Sequence, residues 1–347
     1  MKKVQVAVVG GGIAGAATAR ALAAAGVEVD LFEQYALGHT RGSSHGTSRI
    51  FRYSYAEPEY VRDCMESLPL WRELQEEAGE TLYTPTGGFD IGDRALAHQR
   101  SLEAAGAEFE LLDAGEAARR YPGVEFPDGI PLLFQPDGGI THAERCVRAC
   151  AAIAVRHGAT LRERARVERL EPTGDSVVVH TSDESFVAEA VVVAAGSWAP
   201  GLLATCGIDL PVTATRETVV YFAFAEEVVP SLVDWSSEPA FFALGAPGEG
   251  LKAGWHHAGP AVVNPDEAGR PDPETVEAIV GWVRERFPAA GSEPLRAETC
   301  LYTNSADESF VFGREGRVVV VSACSGHGFK FGPLTGRRAA DLTLEVL

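Results

Sequence analysis

Gly10, Gly12 and Gly15, followed by Glu33, are the residues of this chain whose spacing speaks most directly of chemistry. In Val4-Gln-Val-Ala-Val-Val-Gly10-Gly-Gly12-Ile-Ala-Gly15 an apolar strand runs into a turn with no side chains in the way. Gly10 permits the turn, Gly12 lets the backbone approach a pyrophosphate, and Gly15 lets the next helix pack close to the strand. The helix N-terminus then offers free N–H groups and a partial positive charge to phosphates. Glu33 ends a second apolar run, Val27–Glu33, where a carboxylate can accept hydrogen bonds from an adenosine ribose. The pattern implies a dinucleotide, and the acid favours FAD or NAD over NADP.

A second set of candidates is cationic. The net charge of the chain is −19. Against that background there is no Asp or Glu from 34 to 56, a stretch that carries His39, Arg41, His45, Arg49 and Arg52. A second acid-free stretch, 316–340, carries Arg317, Lys330, Arg337 and Arg338. Each is either a solvated loop or a place where an anionic ligand group is met. Lys2, Lys3, Lys252 and Lys330 are the only lysines; every other basic residue is Arg. A lysine kept in such a chain offers a compact, strongly hydrated ammonium that Arg cannot imitate. The six cysteines are scattered, and Cys146 and Cys150, four apart on a predicted helix, lack further ligands for zinc, so they are read as core thiols and no metal is expected.

The elements that must position these groups follow from periodicity. Apolar strands are predicted after Lys3, at 27–33, at 188–195 and at 318–322, with helices at 60–77, 142–157, 271–287 and 332–347. Nucleotide-type strands therefore fall at the start, middle and end of the 347 residues. The expected division is a discontinuous nucleotide-binding domain (1–83, 141–210 and 296–347) interrupted by a second domain (84–140 and 211–295). The segments 228–239 and 245–273 are expected to be mobile loops. An acidic chain repels polyphosphates and anionic lipid, so nucleic acid and membrane partners are not expected. Met1-Lys-Lys-Val leads straight into the first strand, which points to a cytoplasmic protein without a signal peptide.

Further motifs carry a resemblance. They are Gly42-Ser-Ser-His45-Gly-Thr-Ser-Arg49-Ile-Phe-Arg52, Gly250-Leu-Lys252-Ala-Gly-Trp-His256, Cys300-Leu-Tyr302-Thr303 and Ser325-Gly-His-Gly-Phe-Lys330-Phe. With the glycine turn, they resemble the monomeric sarcosine oxidase and N-methyltryptophan oxidase family, within the D-amino acid oxidase-like flavoproteins. The resemblance implies an α/β fold: a discontinuous, Rossmann-like FAD-binding domain plus an α+β substrate domain with a mixed antiparallel sheet. It implies FAD bound covalently through Cys300, whose motif continues with Tyr302. Ile13, Ser43, Val167 and Gly328 join the glycines and Glu33 as cofactor-binding positions. Arg49 is placed near the flavin ring, Lys252 where oxygen is activated, and Arg52 with Lys330 on a substrate carboxylate. Lys330 and Arg49 also serve the cofactor, and His45 and His256 hydrogen-bond substrate.

The implied reaction is oxidation of a secondary amine next to a carboxylate to an imine, with O2 reduced to H2O2, by a monomer. Two departures make the site less polar: Ser44 stands for a second histidine of sarcosine oxidases, and Phe242 for an active-site tyrosine. The chain also ends directly after its last predicted helix, without the family's tail. These features leave room for a specialised-pathway flavoprotein acting on a cyclic imine or carrier-linked amine, or for a dehydrogenase with another acceptor. An NAD-dependent dehydrogenase or a non-catalytic nucleotide-binding protein is the reading from a different class.

Overall fold

A computed structural model describes residues 1–226 and 228–347. Strand β1 (Lys2–Val9) lies inside an eight-stranded sheet, parallel to β2 (Val29–Phe32) on one side and to the strand Ser185–Val193 on the other. The strands Thr160–Arg162 and Val318–Ser322 extend the parallel set. Antiparallel partners, Val167–Pro172 with Val177–Thr181 and Val311–Glu315, close its edges. The apolar runs are continuous because both faces are covered. Val6 and Val8 enter one core, and Ala7 and Val9 the other.

Helix α1 (Ile13–Ala24) is built of small residues, and its packing shows why. A Cβ on Gly15 would lie 1.9 Å from the Gly10 carbonyl oxygen, and one on Gly336 would lie 2.5 Å from the Ala17 backbone. Helix α1 is thus pressed between β1 and the C-terminal helix Gly332–Leu344, at distances only glycine and alanine allow. The helix Ala143–Arg156 packs along its other side with a strongly one-sided apolar face.

A nine-stranded, largely antiparallel sheet forms the second layer. Near one edge of it Thr213–Phe222 lies between Gly250–Trp255 and the long strand Pro294–Asn304. That last strand crosses the boundary expected at 296 and is hydrogen-bonded into the second sheet over its length. A three-stranded sheet of Arg49–Phe51, Tyr83–Pro85 and Gly139–Thr141 completes the fold. Parallel and antiparallel sheets with covering helices match the expected α/β class.

The two segments read as mobile loops are corrected in part. Ser231–Asp234 pairs with Gly88–Ile91, and Gly250–Trp255 is a buried strand. Pro230 and Pro239 flank the first strand, and Pro247, Gly248 and Gly259 flank the second; their turn signal masked the short apolar runs between them. No helix among the described residues is long and apolar enough to cross a membrane.

Candidate active site

A cavity of about 860 Å³ is lined by residues of both large sheets. It collects every sequence-predicted site residue except Gly15, whose place is the tight contact beneath the glycine turn.

At the nucleotide end, Gly10 has φ +111° and a Cβ there would meet the Ala194 carbonyl at 2.4 Å. Gly12 caps α1 in extended conformation, with no acidic residue in the first helical turn to neutralise the dipole. The hydroxyl of Ser44 accepts a hydrogen bond from the Ile13 N–H at 3.1 Å. Sequence reading treated Ser44 only as a missing histidine; the fold places it on the helix terminus. Glu33 is buried, and its two oxygens accept the N–H groups of Gly11 and Tyr35, both at 2.8 Å. Burial works to raise its pKa, but His39 and these amides outweigh it and hold the carboxyl below the usual range. An anion-ready helix terminus beside a charged carboxylate fits the pyrophosphate and ribose of FAD. Val167, at the start of its strand, lines the same region.

Beyond the turn, Cys300 is buried on the strand Pro294–Asn304. Its Sγ lies 3.6 Å from Arg49 Nη2, and that guanidinium is fixed by the carbonyls of Ser48 (2.8 Å) and Ser43 (2.7 Å). Burial pushes the thiol up, and Arg49 and Lys252 offset part of that rise. The Ser43 hydroxyl donates to the Leu301 carbonyl at 2.5 Å, tying this loop to the cysteine strand. Lys252 is buried, and its Nζ donates to the Ser48 carbonyl at 3.3 Å. Burial, then the nearby Arg49, pushes it down to about 7. His45 Nε2 stands 3.1 Å from the Thr299 carbonyl, so Nε2 must carry the proton. Nδ1 is then a bare acceptor, buried without a partner among the described residues. Burial and the charges of Arg49 and Lys252 push this imidazole down to about 3, so it is neutral.

A second cationic cluster holds Arg52, Lys330 and His256. Arg52 Nη1 donates to Ser54 Oγ (3.0 Å) and pairs with Asp90 at 3.3 Å. Asp90 also accepts from Trp235 Nε1 (2.9 Å) and Ser54, and faces His98 Nδ1 at 3.2 Å. Lys330 sits in the short 3₁₀ turn after Gly328, where Nζ donates to Tyr55 Oη and the His327 carbonyl, both at 2.7 Å. Burial pushes it down to about 7. His327 Nε2 faces the Glu308 carbonyl (3.0 Å) and therefore donates, which leaves Nδ1 to accept from Tyr55 Oη at 3.0 Å. His256 is pushed well down by burial and by its cationic neighbours, and the Tyr302 ring packs 5.7 Å from it. Phe242, Trp235 and Phe329 give this end an aromatic wall.

Asp90, Trp235, Tyr55 and Glu298 were not found by sequence reading, and His327, inside a quoted motif, had no role assigned. The one available signal was Asp90 itself, a carboxylate inside the apolar strand Gly88–Ile91. Ligand atoms of His256, His257 and Glu308 lie within 4.8 Å of one another, but Arg52 and Lys330 beside His256 oppose a cation there.

The family model described as FAD dependent oxidoreductase matches residues 5–342. The chain is 32% identical over 358 residues to monomeric sarcosine oxidase of Bacillus sp. (strain B-0618), covering 98% of this chain and 92% of that one. It is 32% identical over 364 residues to human peroxisomal sarcosine oxidase, with the same coverage. Among solved structures it resembles NikD, described as an unusual amino acid oxidase essential for nikkomycin biosynthesis. The TM-score is 0.90 and the identity 28%, over 99% of this chain and 95% of that one. With a glycine turn and acid that fit FAD and a match along nearly its whole length, the chain belongs to the FAD dependent oxidoreductase family.

Proposed function

We propose that this protein oxidises a secondary amine next to a carboxylate, an N-methyl or cyclic amino acid, to an imine, and reduces O2 to H2O2. The observation that carries this reading is the placement of Arg52, Lys330 and a neutral His256 on the same cavity as Cys300 and the glycine turn. The sarcosine oxidases it resembles support the substrate class.

FAD, when bound, supplies the two-electron acceptor; the residues supply binding and charge. Among the described residues, only Nη1 of Arg52 is hydrogen-bonded, so its other nitrogens are available to a carboxylate. Lys330 spends two donors on Tyr55 and His327 and keeps a third for the same anion. The cations also disfavour a substrate ammonium, which promotes the neutral amine whose lone pair the oxidation needs. His256, held neutral, can accept the amine N–H. Lys252 places a cation where negative charge develops as oxygen is reduced. Cys300, with Arg49 beside its sulfur, is the residue for a thioether to FAD.

The aromatic wall favours a ring-bearing amino acid over sarcosine itself. The test is anaerobic mixing with sarcosine, N-methyl aromatic amino acids, proline and pipecolate. Loss of flavin absorbance with at least one of them, and peroxide on admitting air, is the expected result. Failure of every secondary amine rejects the substrate class, and reduction without peroxide rejects O2 as acceptor.

A further inference from the structure

Glu298 lies in none of the sequence motifs, yet it faces the cavity beside Lys252. The strand pairing explains how. Tyr221 stands opposite Lys252 on one side and opposite Arg296 on the other, so the three form a row across the sheet. Side chains two apart share a face, which carries Arg296, Glu298, Cys300 and Tyr302 toward the same side. Tyr221 Oη donates to Glu298 Oε1 at 2.6 Å, and Arg296 bonds the other oxygen. The loop Gly42–Arg52 closes over this group at Gly46. A Cβ on Gly46 would lie 3.4 Å from Tyr221 Oη, 3.5 Å from Glu298 Oε1 and 3.6 Å from Arg49 Nη1.

We propose that Glu298 is a positioning residue for oxygen reduction, whose carboxylate favours the ammonium form of Lys252. The inference rests on the amine-oxidase reading above and extends it. The groups facing Lys252 are Arg49 and His45 from the loop 42–52, Tyr221 from the adjacent strand, and Arg296, Glu298 and Cys300 from the strand beyond it. Arg49 and Arg296 favour loss of the lysine proton, and His45 is neutral. Glu298 and an ionised Cys300 oppose that loss. A cysteine converted to a thioether carries no charge, which leaves Glu298 as the one negative protein group among them. Burial works against the Glu298 carboxylate, but the Tyr221 hydrogen bond and the charge of Lys252 keep it ionised. A neutral Lys252 would have no field to offer the charge that develops on oxygen.

Only four lysines occur in the chain, so protein labelled with [ε-¹³C]lysine shows four signals, and Lys252→Met identifies the one of interest. In Glu298→Gln its titration is expected to move to lower pH by about one unit, and Glu298→Asp to restore it. Arg296→Gln, which removes a cation, is expected to move it upward. Reoxidation by O2, timed separately from anaerobic reduction, should slow about tenfold in Glu298→Gln above the wild-type midpoint. An unmoved Lys252 titration in Glu298→Gln overturns the proposal, as does a shift in the same direction in Arg296→Gln. Should Glu298→Gln not fold, an unmoved or lowered titration in Arg296→Gln overturns it alone. Shifted titrations in a protein that no amine reduces would reject the amine reading and leave the hold of Glu298 on Lys252 standing.

Discussion

Asp90 shows how much of the site is carried by residues that never meet substrate. Buried in a strand, it gathers Arg52, Ser54, Trp235 and His98 around one carboxylate. Replacing it with Asn would leave Arg52 without its charge partner. Breaking a buried pair in this way costs about 3–5 kcal/mol. Asp90→Asn is therefore expected to lower the melting temperature and to raise the amine concentration needed for half-maximal flavin reduction; thermal scans and anaerobic titrations read the two effects. At Cys300 the expectation is covalent. The wild-type polypeptide should stay yellow after acid precipitation, and Cys300→Ala should release its flavin to the supernatant. Release from the wild type would reject the thioether.

Among the elements, α1 leaves least room. Its one glycine is set by contact distance: a Cβ at position 15 would sit 1.9 Å from the Gly10 carbonyl. Gly15→Val must push α1 off β1, which moves the helix terminus that faces the phosphates. Overpacking of this kind costs about 1–3 kcal/mol. The variant should be less stable and should hold less flavin per chain, read from the ratio of visible to ultraviolet absorbance. Normal flavin content in a stable Gly15→Val protein would show that the close packing is not needed.

For the whole molecule, buried ionisable groups set how stability varies with pH. Lys252 and Lys330 titrate near 7 when folded, against 10.5 when exposed. Between those values the unfolded chain binds more protons, so stability rises with pH. Cys64 and Cys150 act in the opposite sense. Burial pushes each up to about 12 from 9.0, so their stabilisation is present below 9 and is lost above it. Stability of the flavin-free Cys300→Ala protein should therefore climb from about pH 7, level off above 9.0, where the two pairs oppose each other, and fall above 10.5. Denaturant titrations across this range check it, and a curve falling steadily from pH 7 would contradict the buried state of the two lysines. Adding FAD back should raise the melting temperature, because a ligand of the folded state alone stabilises it by mass action.

The α/β class and the glycine turn were legible in the sequence because each follows from local rules. Apolar runs mark strands covered on both faces, and Gly10, Gly12, Gly15 and Glu33 sit at spacings that one strand–turn–helix unit dictates. Lys252 and Lys330 stood out for a compositional reason, as lysines in a chain that otherwise uses arginine. Partnership was not legible. Asp90 meets Arg52 across 38 residues and Tyr55 meets Lys330 across 275, and no periodicity records such pairs. Glu298 reads locally as one more acid in an acidic chain. Its place beside Lys252 comes from the register of three strands, and register is decided by the packing of whole sheets. The same holds for the strand Pro294–Asn304, whose sheet could be known only once Thr213–Phe222 had chosen it as a neighbour. Residue types and short spacings thus determined which chemistry the chain can hold. The tertiary structure decided which charges face each other, because burial and distance between remote segments set their protonation.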